Sequence, residues 1–360
     1  MRILKWLFTI TLAFAILLVG SAVVFLSSSR GSALRDAMVN VVASDELNGQ
    51  SLESIEDLVR YLEAHPERYA LAAWDVGRED AGVFHDADTR WPLASTVKII
   101  PLALASEELA AGTWDAATPT PEVEAFYLPG TDGDAHLRAG ADGGTSTLGG
   151  ALHGMIRFSD NAATDAILFR LGRARVQSDG GGLPSPHPLS GTMLVAAGPP
   201  PEALDDAAWA AAATLLDGGS TGARLTIAQQ EEMTRRFDNR GTARAFAALM
   251  ERLFTDPSHA TALARTELSW PMEFAPNQRD FVVLATKGGS LAGTLTSASY
   301  GETKTGQRRV VALFLHDLPF ATWIELSRNY TQQKLERELL LAPDALVRLG
   351  PRLSPTSAAP

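Results

Sequence analysis

The chain has 360 residues, of which 46% are hydrophobic and 20% are charged, so it is long enough for one large globular domain or two small ones. Its net charge of -11 is spread over short acidic patches without a basic run, which argues against nucleic acid as a partner. The absence of cysteine excludes disulfides, thiolate catalysis and cysteine–zinc sites, and the histidines show no paired metal-binding spacing, so we expect neither a metal nor another cofactor.

The N-terminal residues have the pattern of a membrane anchor. Arg2 and Lys5 precede an uncharged apolar run at residues 6–26, which is long enough to span a bilayer. A cleaved signal peptide is the alternative, since Gly20-Ser21-Ala22 is similar to a cleavage site, but the apolar run continues beyond it. We therefore expect an uncleaved transmembrane anchor at residues 1–29, with the rest of the chain on the periplasmic side of the inner membrane, or secreted if the N-terminus is cleaved.

The next stretch predicts a tether, a helix and a hairpin. Residues 30–54 are polar and serine-rich, which is typical of a tether. Apolar residues recur at helical spacing over residues 52–62, and two short apolar runs at residues 69–76 and 83–84 predict antiparallel strands on either side of a turn.

Ser95 lies at the predicted start of an apolar helix over residues 96–111, which ends at Gly112. Residues three apart lie on one face of a helix, so Lys98 is expected to point its amine at the Ser95 oxygen. Because the helix is apolar on nearly all sides, it should be buried, and burial favours a neutral amine that can take the serine proton. Pro101 is the weak point of this prediction, since it removes one helical hydrogen bond.

A serine three residues before a lysine is also typical of an ordinary helix cap followed by a surface lysine. The composition favours a chemical role. Arginine cannot be deprotonated and cannot act as a base, so a lysine in a chain that otherwise prefers arginine is a candidate for catalysis. The 31 basic residues include only five lysines, which are Lys5, Lys98, Lys287, Lys304 and Lys334.

The middle of the chain predicts mostly helices and loops. Ser159-Asp160-Asn161 precedes an apolar helix that ends near Gly172, and further helices are predicted at residues 226–236 and 242–254. Residues 173–202 contain repeated glycine and proline without periodicity, which predicts a long loop of the length that is usually functional or disordered.

The C-terminal part predicts an antiparallel meander, a helix at residues 323–341 and a flexible tail at residues 343–360. The strands of the meander are expected at residues 281–286, 294–300 and 310–315. Two strands are predicted near the start of this region, three near its end, and helices between them. This order predicts one α+β domain at residues 55–342. Its fold class is an α/β sandwich, in which an antiparallel sheet built from both chain ends is flanked by helices and carries an inserted all-helical lobe.

Three motifs occur in order along the chain, each at the boundary of a predicted element: Ser95-Thr96-Val97-Lys98, Ser159-Asp160-Asn161 and Lys287-Gly288-Gly289. Together they resemble the S-x-x-K, S-D-N and K-T-G motifs of the penicillin-recognising serine hydrolases. The chain is most similar to the class A β-lactamase-like branch of that family, which also includes D,D-peptidases. The resemblance covers residues 55–342 and implies a β-lactamase/transpeptidase-like fold.

The resemblance also implies catalytic roles for four residues. Ser95 would be the nucleophile that forms an acyl-enzyme, and Lys98 would be its base. Ser159 would pass a proton to the leaving nitrogen of the substrate. Asn161 would hold both Lys98 and the amide side chain of the substrate.

Substrate-binding roles follow from the same resemblance. Lys287 would supply positive charge for Ser159 and for a substrate carboxylate, and Gly289 and Ser290 would lie beside the substrate. The backbone N–H groups of Ser95 and Ser290 would form the oxyanion hole, where donors are already aimed at the developing negative charge. Gly288 departs from the family pattern because it lacks a hydroxyl for the carboxylate, and Ser290 is the candidate replacement.

Two features depart from the family pattern. Lys304-Thr305-Gly306 spells the third motif literally, but it lies in a polar turn, whereas Lys287 ends an apolar strand that is followed by two strands and a helix. We therefore assign the role to Lys287. Class A β-lactamases use a loop glutamate to activate the deacylating water, but residues 190–200 contain no acid, and Glu202 is the nearest candidate, with a poor match in spacing and context.

Three functions remain as alternatives. The first is a hydrolase that acts on a small β-lactam or on related amides and esters. The second is a peptidoglycan D,D-carboxypeptidase or transpeptidase, a penicillin-binding protein that takes D-Ala-D-Ala-like peptides, uses the same three motifs and needs no loop glutamate. The third is an inactive, anchored module that binds wall peptide, and the intact Ser95 and Lys98 argue against it.

Overall fold

The structure is a computed structural model, and it describes residues 52–121, 123, 146–172, 175, 239–256 and 262–354. Within these ranges no helix is long and apolar enough to cross a membrane. Several predictions concern parts of the chain outside the described residues: the anchor at residues 1–29, most of the tether at residues 30–54, nearly all of the loop at residues 173–202 with Glu202, and the helix at residues 226–236.

Five antiparallel strands form the main sheet of the described part, in the order β2-β1-β7-β6-β5. The strands are β1 Tyr69–Asp75, β2 Val83–His85, β5 Phe281–Leu291, β6 Thr294–Thr303 and β7 Arg308–Leu315. Strand β1 pairs with β7 along its whole length, so the two ends of the domain meet inside the sheet. Two short strands, β3 Trp91–Pro92 and β4 Arg240–Gly241, form a separate ribbon. The predicted antiparallel sheet built from both chain ends is confirmed.

Ten α-helices lie within the described residues. They are α1 Ile55–Ala64, α2 Ile99–Ala110, α3 Leu148–Arg157, α4 Asn161–Leu171, α5 Ala243–Thr255, α6 Ala262–Leu268, α7 Ala275–Asp280, α8 Phe320–Asn329, α9 Thr331–Leu341 and α10 Ala345–Leu353. Helices α2 to α6 contribute to one apolar core, and α1, α8, α9 and α10 contribute to a second. The two sets of helices therefore enclose the sheet from both sides.

Strand β1 shows how the sheet separates the two cores. Successive side chains of a strand point to opposite faces of the sheet. Ala70 and Trp74 accordingly lie in the core of the central helices, whereas Tyr69 and Leu71 lie in the core of the terminal helices. A strand that is covered on both faces is apolar throughout instead of alternating, which explains the continuous apolar run of β1.

The domain is longer at both ends than the sequence predicts. The prediction of a flexible tail from residue 343 onward is wrong for residues 345–353, which form α10. Leu349 and Leu353 recur at helical spacing and are buried in the same core as α1. At the other end, Leu52 is buried and Ser54 caps α1, so these residues belong to the domain and not to the tether. The folded part of the described chain thus extends from residue 52 to residue 353.

Two predicted helices differ from the observed ones. The helix expected at residues 323–341 is interrupted at Tyr330, whose φ of +54° is left-handed and ends α8 before α9 begins. The helix expected at residues 96–111 begins later, because Ala94–Lys98 form a 3-10 helix and α2 follows it. Pro101 lies in the first turn of α2, where its missing N–H would have no intrahelical acceptor, so the helix tolerates it.

Glu336 of α9 is a buried carboxyl on the side of the sheet that carries the terminal helices. The hydroxyls of Ser297 and Ser299 on β6 donate hydrogen bonds to it, the second at 3.1 Å. Burial raises the pKa of Glu336 from its ordinary value of 4.5 to about 7, against the opposing effect of its hydrogen bonds. Between these pH values the folded chain keeps a proton that the unfolded chain releases, so the contribution of Glu336 to stability falls as the pH rises.

We therefore expect Glu336→Gln to gain stability over the parent protein as the pH rises from about 5 to about 8, by up to roughly 3 kcal/mol in the free energy of unfolding. The physical reason is that the amide has no charge to bury. Urea denaturation of both proteins at the two pH values measures the difference. A stability difference that stays constant between the two pH values would contradict the expectation.

Candidate active site

Ser95 lies in a strained turn between β3 and α2. The residue before it, Ala94, has a φ of +45°, in the left-handed region that residues other than glycine rarely adopt. The backbone on the N-terminal side is held in place, because the Leu93 N–H donates to the Asn239 carbonyl oxygen at 2.8 Å and the Leu93 carbonyl oxygen accepts from the Thr96 N–H at 3.0 Å. Such strain persists only where the surrounding structure enforces it, and it is concentrated at functional sites.

The segment that leads into this turn is anchored by Trp91. Its backbone pairs with Gly241 in the ribbon of β3 and β4. Its ring stacks on the buried His316, with 3.3 Å between ring centroids, and its indole N–H donates to an Asp86 carboxylate oxygen at 2.7 Å. The chain therefore enters the Ser95 turn from a fixed direction.

Lys98 is fully buried, and its amine lies among polar groups of the second motif. The Nζ atom donates to the Ser159 carbonyl oxygen, to Ser159 Oγ at 3.1 Å and to Asn161 Oδ1 at 2.8 Å. The first and second predicted motifs thus meet at this amine, as the resemblance implies.

The second motif serves both as a helix cap and as part of the site. Ser159 has a φ of +57°, and Asp160 caps α4 by accepting from the Ala163 N–H at 2.8 Å. The cap fixes the first turn of α4, which begins with Asn161. Because of this arrangement, both Ser159 and Asn161 reach the Lys98 amine.

Lys287 brings the third motif to the same serine. Its Nζ atom donates to Ser159 Oγ at 3.1 Å and to the Gly288 carbonyl oxygen at 2.7 Å. Burial, and then the nearby charge of Lys98, lower the pKa of Lys287 well below its ordinary value. The Ser159 hydroxyl therefore lies 3.1 Å from each of two buried amines.

Both amines cannot be protonated at low cost. They share the Ser159 oxygen and lie within about 6 Å of each other, where two positive charges repel by roughly 3 kcal/mol at an effective dielectric of about 20. A neutral Lys98 would still satisfy the Ser159 carbonyl and Asn161 Oδ1 with its two N–H groups, because both are acceptors only. Its lone pair could then accept from the Ser159 hydroxyl, 3.1 Å away, which is the kind of hydrogen bond that a general base makes.

Strand β5 passes directly beside the Ser95 backbone. It continues beyond residue 286 to Leu291, so Lys287 and the residues after it lie within the strand instead of at its end. A Cβ atom at Gly289 would lie 2.6 Å from the Ser95 N atom and 2.8 Å from the Leu93 carbonyl oxygen, which only glycine avoids. Ser290, the predicted second oxyanion donor, follows on the same strand and is exposed.

Lys304 lies away from this cluster. It is exposed in the turn between β6 and β7, at the end of β6 remote from Gly289, and its backbone N–H donates to the Asp280 carbonyl oxygen. The literal Lys304-Thr305-Gly306 motif is thus a turn. Thr296 of β6 was not predicted as a site residue, although its hydroxyl donates to the Leu93 carbonyl oxygen at 2.6 Å. No sequence signal points to it, because the contact joins residues that are far apart in the chain.

The arrangement defines a class of protein. A serine in a strained turn, with two buried amines around a second serine hydroxyl, is typical of serine hydrolases that use lysine in place of histidine. Together with an antiparallel sheet enclosed by helices, it is typical of the penicillin-recognising serine hydrolases.

The family is shown by its sequence model. The model of the β-lactamase enzyme family matches residues 52–335, and the chain belongs to this family. A search of curated protein sequences finds no significant match.

Solved structures share the fold at low sequence identity. The β-lactamase from Sphaerobacter thermophilus is 20% identical, with a TM-score of 0.51, and the match covers 79% of this chain and 98% of that one. A β-lactamase from Xanthomonas campestris pv. campestris is 13% identical, with a TM-score of 0.53, and the match again covers 79% of this chain and 98% of that one. At these identities the likeness establishes the fold alone.

The lowered pKa of Lys287 leads to a stability prediction. Below its ordinary pKa of 10.5, the unfolded chain binds a proton that the folded chain binds less readily, so burying the amine costs folding free energy. Lys287→Met should raise the free energy of unfolding near neutral pH by about 1–2 kcal/mol, and this gain should shrink as the pH approaches the ordinary value. Chemical denaturation across this pH range measures it. A variant less stable than the parent protein near neutral pH would show that the amine contributes to stability.

Proposed function

We propose that the protein is a serine hydrolase that acts on β-lactams or on related amides and esters through a covalent acyl-enzyme at Ser95. The observation that carries the proposal is the Ser159 hydroxyl, 3.1 Å from both the Lys98 and the Lys287 amine. These groups can move a proton between the nucleophile and a leaving nitrogen without a histidine. The close packing of Gly289 against the Ser95 backbone brings strand β5 beside the nucleophile.

In the acylation step, Ser95 Oγ attacks the carbonyl carbon, and its proton passes to the neutral amine of Lys98. The carbonyl oxygen becomes an oxyanion, which the N–H groups of Ser95 and Ser290 would stabilise. The carbon–nitrogen bond then breaks, and the leaving nitrogen takes the proton of Ser159 Oγ. Ser159 recovers a proton from the Lys98 amine, so the acyl-enzyme forms with all protons accounted for.

Substrate binding would use the edge strand. β5 is the last strand of the sheet, so one of its edges is not paired with another strand of the described sheet. Lys287 would contact the carboxylate of a β-lactam or of a D-Ala-D-Ala-like peptide, whose negative charge would favour the protonated form of the amine, and Asn161 would contact the amide side chain. Gly288 has no hydroxyl, so the exposed Ser290 is the nearest replacement on the strand.

The fate of the acyl-enzyme separates a β-lactamase from a D,D-carboxypeptidase or transpeptidase. Hydrolysis of the ester needs a second base to prepare a water, and such a base typically increases the rate by about 10²–10⁴-fold. Residues 190–200 contain no acid. This observation favours slow deacylation, and it keeps the penicillin-binding alternative open. An inactive binding module is disfavoured, because Ser95 and Lys98 are intact and the amines of Lys98 and Lys287 both contact the Ser159 hydroxyl.

We expect a fluorescent penicillin to label the purified protein at Ser95 in a burst near one equivalent, followed by slow loss of the label. The reason is that Lys98, Ser159 and Lys287 are in contact beside the Ser95 turn, whereas residues 190–200 contain no acid that could serve as a second base. Peptide mass mapping locates the adduct, and a time course measures gain and loss. Lys98→Arg should abolish labelling because arginine keeps the charge but cannot accept a proton.

The matched control for this experiment is Lys304→Ala, which removes the exposed lysine of the literal third motif and should label like the parent protein. Glu202→Gln should change the slow phase little. If the label were found on another serine, Ser95 would not be the nucleophile. Fast turnover without a burst, lost in Glu202→Gln, would identify Glu202 as the deacylation base.

The location that we propose rests on the sequence alone. The apolar run at residues 6–26 after Arg2 and Lys5 favours an anchored protein whose catalytic domain lies outside the cytoplasm. We expect the mature protein in the membrane fraction with residues 6–26 retained. Fractionation with N-terminal sequencing tests this, and a mature chain that begins near Val23 would establish a cleaved signal peptide instead.

A further inference from the structure

Thr296 of β6 joins three segments of the site through one buried hydroxyl. Its Oγ1 atom lies 2.6 Å from the Leu93 carbonyl oxygen and 2.9 Å from Thr96 Oγ1. Leu93 and Thr96 lie on either side of the Ala94–Ser95 turn. Thr296 is also the partner of Gly289 across the β5–β6 pair, and a Cβ atom at Gly289 would lie 2.7 Å from the same hydroxyl.

The direction of this hydrogen-bond chain follows from the groups involved. The Leu93 carbonyl oxygen can only accept, so Thr296 must use its single proton to donate to it. Thr96 is then the donor toward Thr296 Oγ1 at 2.9 Å, and the Lys287 carbonyl oxygen is a second, more distant acceptor at 3.4 Å. The Leu93 carbonyl also accepts from the Thr96 N–H at 3.0 Å, so Leu93 has a donor on the turn and another on the sheet.

This contact acts on the strained part of the nucleophile turn. Ala94, with its φ of +45°, follows Leu93 directly, and the rotation at Ala94 determines where Ser95 points. A left-handed alanine keeps its conformation only if its neighbours are fixed. The Thr296 hydroxyl is the side-chain group of the sheet that is hydrogen-bonded to the carbonyl immediately before Ala94.

We infer that Thr296 is a positioning residue for the nucleophile. By fixing the Leu93 carbonyl to β6, it fixes the orientation in which the Ala94–Ser95 turn presents Ser95 Oγ to an incoming acyl group. The effect on rate rests on the proposed function, whereas the effect on the turn itself can be measured without any substrate.

The experiment compares Thr296→Val, which keeps the shape and removes the hydroxyl, with Thr296→Ser, which keeps the hydroxyl. At saturating fluorescent penicillin, the valine variant should acylate roughly 10- to 100-fold more slowly, because small misplacements of a reacting group have effects of this size. The concentration for half-maximal rate should change little. The serine variant should recover most of the rate.

Thr303→Val is the matched control. Thr303 is a buried threonine at the other end of β6, and its hydroxyl contacts Thr305 Oγ1 at 2.8 Å and the Gln307 N–H at 3.1 Å. This variant loses the hydrogen bonds of another β6 threonine hydroxyl, remote from the Ala94–Ser95 turn, so it should acylate at the parent rate. An equal loss of rate in Thr303→Val would overturn the inference, because the effect would then be general destabilisation.

Two further measurements keep the inference separate from the proposed function. A fluorophosphonate probe reports the reactivity of Ser95 with any acyl-type electrophile, and hydrogen exchange reports the order of residues 93–98. If the parent protein reacts with the fluorophosphonate but not with penicillin, the proposed function fails, and slower fluorophosphonate labelling of Thr296→Val still supports the role of Thr296. Exchange at residues 93–98 should accelerate in Thr296→Val and not in Thr296→Ser. The positioning role of Thr296 would be refuted if Thr296→Val showed both the fluorophosphonate labelling rate of the parent protein and unchanged hydrogen exchange at residues 93–98.

Discussion

Two lysine amines buried around one serine hydroxyl form the constraint on which the rest of this site depends. A buried amine is unfavourable as a cation, and Lys98 and Lys287 each increase the cost for the other. The fold tolerates them because carbonyl, amide and hydroxyl oxygens accept from both amines. At an exposed position the same amines would stay protonated and could not accept a proton from a serine. Burial thus makes the protonated amines unfavourable and, for the same reason, favours the neutral form that can act as a base.

The sandwich architecture makes this burial compatible with access to a substrate. Helices cover the sheet on both faces and exclude water from the amines, while β5, which carries Lys287, lies at an edge of the sheet. Gly288 and Ser290 on that strand are exposed, whereas Lys287 on the same strand is buried. The site is therefore dry around the two amines and open to solvent at the neighbouring positions of β5. Left-handed residues, Ala94 and Ser159, form the turns on its two helical sides.

Residue patterns predicted a large part of this architecture. Apolar periodicity located β1, β6 and β7 and predicted how the two chain ends combine in one sheet, and motif order led to the three segments that meet at Ser159. The patterns were less successful at boundaries. Tyr330 interrupts a continuous helical pattern through a left-handed backbone, and α10 is held by its burial in the same core as α1. Both effects come from packing that local spacing does not encode.

The sequence by itself determined which chemical groups are available: a serine and a lysine three residues apart, the Ser159-Asp160-Asn161 motif before an apolar helix, and a lysine on an apolar strand. Only the tertiary structure decided that Lys287 reaches the Ser159 hydroxyl, that its pKa is lowered, and that Thr296 is hydrogen-bonded to the carbonyl before the Ala94–Ser95 turn. Proton affinity depends on desolvation and on neighbouring charge. Desolvation and neighbouring charge arise when segments more than a hundred residues apart in the chain pack against each other. Lys287 packs in this way against the Ser159 turn, and Thr296 packs against the Ser95 turn.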